Sequence, residues 1–141
     1  MPKPILALTL GDPAGIGPEI TAKTLLRHPD LRSECVPVVM GDADAMRRGV
    51  QTMGGDPSVV SVIATPGDAA NDPARIELVQ VGSSLQSVPV GEVSALAGAA
   101  AYRFVVAACD LGKSGKVSGI VTAPLNKAAM HAAGHKWPRH T

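Results

Sequence analysis

The stretch Ile5-Leu6-Ala7-Leu8-Thr9-Leu10-Gly11-Asp12-Pro13-Ala14-Gly15-Ile16-Gly17-Pro18-Glu19 decides how the rest of the chain is read. Its opening is a short apolar run, the pattern of a buried strand. A loop follows from Gly11 to Gly17. Pro18 then suits a first helical turn, where its missing N–H costs nothing. Three glycines and two prolines among the nine residues from Gly11 to Glu19 fix an unusual backbone path. Free N–H groups at a helix start can hold an anion. Asp12 has the chemistry to bind a hydroxyl, a metal or a loop N–H. On these residues alone, a tight structural turn and a ligand loop are equally good readings. The loop is not the dinucleotide fingerprint: Gly15-Ile16-Gly17 supplies its first pair, but Ile20 stands where the third glycine belongs.

Outward from this stretch, short apolar runs alternate with amphipathic ones. Residues 36–40 read as a second strand, with Pro37 hinting at an edge position or a strand beginning. Residues 43–53 read as a helix stopped by Gly54-Gly55. Residues 59–64 and 76–81 are the third and fourth strands, around a loop at 65–74, and 82–91 is a loop. Residues 94–111 form the clearest helix, capped by Ser94, ended by Gly112, with Leu96, Ala100, Phe104 and Ala107 on one face. Residues 117–122 are a buried strand, followed by a loop at 123–126 and a short helix at 127–133. Strands separated by helices imply right-handed crossovers and a mostly parallel sheet, hence an α/β fold. Ligands of such sheets bind beyond the carboxyl ends of the strands. Residues 11–19, 41–42 and 122–127 fall there.

The composition closes off other classes. A length of 141 residues fits one domain, and no linker or internal repeat is evident. Hydrophobic residues at 45% against 18% charged argue against disorder. A net charge of +1 and only three aromatics, Tyr102, Phe104 and Trp137, give no footprint for nucleic acid. No apolar run is long enough to span a membrane, and the N-terminus lacks a signal peptide's features. Cys35 and Cys109 fit no metal spacing and are expected to be buried thiols in a reducing cytoplasm.

Two local patterns imitate known sites. Gly112-Lys113-Ser114 looks like the end of a phosphate-binding loop, but Ala107 replaces the earlier glycine and helix precedes turn. His131 and His135 have the four-residue spacing of metal ligands on a helix, but Ala132 stands where a metalloprotease has Glu and Gly134 tends to end the helix. The C-terminal stretch carries more. Thr122, Asn126, Lys127, His140 and Thr141 are expected either to converge on one polar, anionic ligand or to cap loops.

Taken together, three pieces resemble the 4-hydroxythreonine-4-phosphate dehydrogenase family. They are Leu8 through Glu19, then Ile120-Val121-Thr122-Ala123-Pro124-Leu125-Asn126-Lys127, then Ala133-Gly134-His135-Lys136-Trp137-Pro138 with His140-Thr141. The wording Ala123-Pro124-Leu125-Asn126-Lys127 is similar to the branch acting on 4-phospho-D-threonate. The resemblance implies a three-layer α/β/α fold like that of isocitrate and isopropylmalate dehydrogenases. It implies a cytoplasmic homodimer with its site in a cleft between two domains. The reaction it implies is NAD-dependent oxidation of a 4-phosphorylated hydroxy acid such as 4-phosphohydroxy-L-threonine, of the pyridoxal phosphate biosynthesis type, with 4-phospho-D-threonate or erythronate oxidation in sugar-acid catabolism as the alternative; a divalent metal assists and loss of carbon dioxide follows. The family's substrate-contacting His-Thr pair maps onto His140 and Thr141, and its metal ligands fall after residue 141. The chain is therefore expected to be the N-terminal portion of a two-domain enzyme, cut before the metal-ligand region and inactive alone. An unfinished sheet with an exposed apolar surface should follow. Arg139 replaces the family's usual glycine before the pair. If that position needs positive φ, the arginine strains it by about 1–3 kcal/mol. Two other readings stay open: a stand-alone anion-binding module without redox chemistry, and a decayed fragment.

Overall fold

A computed structural model describes residues 3–82 and 95–123. Among these residues five parallel strands form one sheet in the order β3-β4-β2-β1-β5, and three α-helices pack on it. The elements are β1 (Ile5–Thr9), α1 (Gly17–Arg27), β2 (Val36–Gly41), α2 (Ala43–Thr52), β3 (Val60–Ile63), β4 (Ile76–Gln80), α3 (Ala95–Lys113) and β5 (Gly119–Thr122). The β1–α1–β2 and β2–α2–β3 crossovers step along the sheet in one direction, whereas β4–α3–β5 steps back across it. Right-handed crossovers therefore place α1 and α2 on one face and α3 on the other, giving the α/β/α layering.

Strand pleating agrees with this. Leu8 and Val39 pack with Leu25, Met46 and Val50 of α1 and α2, while the alternate residues Ala7 and Met40 pack with Ala108 and Val117. Among the described residues Phe104 is the largest fully buried side chain.

Most expected elements are present, with corrections that have physical causes. Pro37 does not mark an edge, because β2 lies between β4 and β1. It is the second residue of the strand, and pairing with β4 begins only at Val39, so its missing N–H leaves no gap in that ladder. Gly112 does not stop α3. The helix runs to Lys113, and Gly115, at φ 76°, makes the reversal. The buried face of α3 is Ala97, Ala100, Ala101, Phe104 and Ala108, so Leu96 turns outward and Ala107 is half-buried. Small alanines let the helix sit close to the sheet, which a leucine in that row would prevent. Cys109 is exposed and Cys35 half-buried; both are free thiols, so neither is the buried residue expected. Short 3-10 turns start at prolines at Pro29–Ser33, Pro57–Val59 and Pro66–Asp68, the last inside the segment read from sequence as a loop.

Among the described residues β5 pairs only with β1. Ile120 and Val121 are both exposed, Val121 by 51%. Ile20 of α1, 40% exposed, stands on the same side as Val121, so apolar side chains are exposed along this edge among the described residues. Ser94, the 127–133 helix and the 131/135 histidine pair lie outside the described residues.

Candidate functional site at the carboxyl edge of the sheet

Thr9 stands in register with Met40 of β2 and with Thr122 of β5. Three strands therefore end side by side, and the turns after them start from one edge. This brings together residues 11–19, 41–42 and 122–123, the described parts of the three segments singled out from sequence. Asn126, Lys127, His140 and Thr141 lie outside the described residues.

The 11–19 turn is built from the strand outward. Gly11 takes φ 75°, a left-handed conformation that suits glycine. Asp12 then folds back, its Oδ1 accepting the Ala14 N–H at 2.8 Å, and the Asp12 carbonyl accepts the Gly15 N–H at 3.0 Å. Asp12 is only 4% exposed. Burial pushes its pKa above the ordinary aspartate range, and the Ala14 hydrogen bond opposes that rise in part. Ile16, 60% exposed, forms the crest of the turn. Gly17 packs directly on the Leu10 carbonyl, leaving no space for a Cβ, with the Ala123 side chain close by. Its lack of a side chain thus serves close packing of helix on strand rather than approach of a ligand.

The neighbouring strand end is clamped. Asp42 caps α2, its Oδ2 accepting the Ala45 N–H at 2.9 Å. Gln80, at the end of β4, donates from Nε2 to Asp42 Oδ1 and accepts the Ala43 N–H at Oε1, each at 2.8 Å. Sequence reading saw Gly41-Asp42 as a strand end but missed Gln80, because nothing local shows that β4 and β2 are neighbours. On the third strand, Ala123 N–H donates to the Thr9 carbonyl at 3.1 Å, so the 122–123 segment is tied to the base of the glycine-rich turn.

A further feature was not legible as a site. A cavity of about 240 Å3 lies between the turn and α2, lined by Pro13, Gly15, Ile16, Pro18, Glu19, Ala45, Arg48, Gly49 and Thr52. Arg48 brings a guanidinium whose Nε and Nη2 are buried and make no hydrogen bond. The signal was available: positions 45, 48, 49 and 52 share one face of a helix. That this face meets the turn is a tertiary fact. Gly112-Lys113-Ser114, by contrast, is only a helix end, with Ser114 N–H donating to the Asp110 carbonyl. Among the described residues no group of three or more His, Cys, Asp or Glu side chains can hold a metal ion.

A parallel α/β/α sheet that brings a glycine-rich turn, a capped helix and Thr122 to one edge belongs to the architecture in which ligands bind beyond the strand ends. The comparisons make the class specific. The family described as pyridoxal phosphate biosynthetic protein PdxA matches residues 33–141, and the chain belongs to it. A D-threonate 4-phosphate dehydrogenase of Bordetella bronchiseptica is 59% identical over 138 residues, covering 98% of this chain and 39% of that protein. A 4-hydroxythreonine-4-phosphate dehydrogenase of Trichlorobacter lovleyi is 41% identical over 142 residues, covering 99% and 42%. Among solved structures, a 4-hydroxythreonine-4-phosphate dehydrogenase from Burkholderia phymatum superposes with a TM-score of 0.91 at 38% identity, covering 99% of this chain and 42% of that one. The fold is thus the isocitrate/isopropylmalate dehydrogenase-like one that the resemblance implied. The chain spans about two-fifths of the length of these relatives.

Proposed function

We propose that this chain is the N-terminal portion of a two-domain dehydrogenase that oxidises the secondary alcohol of a phosphorylated hydroxy acid, 4-phospho-D-threonate. The observation that supports this reading is the 59% identity to a D-threonate 4-phosphate dehydrogenase across nearly the whole chain. A second substrate, 4-phosphohydroxy-L-threonine, is favoured by the 41% identity to a 4-hydroxythreonine-4-phosphate dehydrogenase. NAD is the proposed hydride acceptor and a divalent ion the proposed Lewis acid for the alcohol oxygen, with decarboxylation of the β-keto acid following. Among the described residues no group of three or more His, Cys, Asp or Glu could hold the metal, and the 11–19 turn lacks the dinucleotide fingerprint, so neither group is given a contact.

The chain's own contribution is placement. Asp12 and the Gln80–Asp42 clamp stiffen the strand ends, and the Thr9–Ala123 bond fixes where the 122–123 segment leaves the sheet. His140 and Thr141 are proposed to contact the substrate. The enzyme is proposed to be a cytoplasmic homodimer.

The test is NADH formation by the reading frame at the length of its relatives, with each substrate in turn and added divalent metal. The expected result is turnover of 4-phospho-D-threonate, with kcat/KM down at least about tenfold in His140→Ala. Preference for 4-phosphohydroxy-L-threonine selects the second reading, and turnover of neither removes the dehydrogenase reading altogether.

A further inference from the structure

We draw no further inference here: the strongest candidate, the open groove of about 550 Å3 between α3 and the segment that follows β3, lined by Met40, Thr65, Val79, Val81, Leu111 and Lys116, is a largely apolar surface with nothing in the structure to show what covers it.

Discussion

At the residue scale, backbone proximity sets the rules of this molecule more than side-chain chemistry does. Gly17 and Gly49 show it: a Cβ on Gly17 would run into the Leu10 carbonyl, and one on Gly49 would sit 2.6 Å from the Pro18 carbonyl oxygen. Glycine in a helix interior ordinarily costs about 1 kcal/mol relative to alanine. Here it permits α2 to lie directly against the start of α1. Asp12 supplies the pH-dependent counterpart. Its pKa is raised in the folded chain, so the native state holds this proton more tightly than the unfolded state. Stability from this group is greatest at low pH and falls as pH rises from the ordinary value of 3.8 through the raised folded value. Asp12→Asn keeps an acceptor for the Ala14 N–H and carries no charge. Its urea midpoint should therefore exceed that of the parent at pH 7, and the gap should shrink as the pH is lowered toward 3.8. A gap that widens on acidification would contradict the burial argument.

At the element scale, the segment between α1 and β2 owes its position to one arginine. Arg32, 6% exposed, donates from Nη1 to the Leu25 carbonyl at 3.2 Å and from Nη2 to the Arg75 carbonyl at 2.9 Å. It thus ties the last turn of α1 to the entry of β4, residues far apart in sequence. Burial lowers the pKa of the guanidinium, opposed by Cys35, Glu77 and Asp72, but an arginine stays charged in a protein. The Arg32 carbonyl in turn accepts from Lys3 Nζ and Asn71 Nδ2. Buried Glu77 on β4 accepts the N–H groups of Ala70 and Asn71 at 2.7 and 2.8 Å, which orders the turn before the strand. Arg32→Met keeps the stem but leaves two carbonyls without their charged donor. It should cost about 2–4 kcal/mol in chemical denaturation. A loss below about 0.5 kcal/mol would mean that water replaces the guanidinium and that the knot is decorative.

At the scale of the whole molecule, the β5 flank decides how the chain behaves in solution. A strand with apolar residues on both faces reads as an interior strand of a parallel sheet. Here Ile120 and Val121 are exposed instead, and Val121 borders an apolar cavity of about 270 Å3 lined also by Leu8, Ile20, Thr24 and Leu25. Open apolar edges invite association. The 141-residue chain should therefore self-associate with rising concentration. Val121→Lys should raise the monomer fraction in sedimentation velocity while leaving the unfolding midpoint nearly unchanged, since Val121 is already 51% in water. A parent chain that stays monomeric at high concentration would show the flank to be harmless.

The division between what could be read and what could not follows from range. Every described strand and helix carries a local signal. Apolar runs mark β1 and β2, Pro18 marks the start of α1, Asp42 its successor's cap, and Gly54 at φ 87° the end of α2. The parallel class and the carboxyl-edge location of the 11–19 turn follow from the order of those signals. Strand neighbours do not, because pairing of β4 with β2 joins segments that share no sequence pattern. The hint drawn from Pro37, the outward turn of Leu96 and the exposed Cys109 all depended on which surfaces meet. Hydrogen bonds within a few residues are written into the chain itself. The Gln80–Asp42 clamp, the Arg32 knot and the unpaired Arg48 exist only once packing has chosen which groups lose their water.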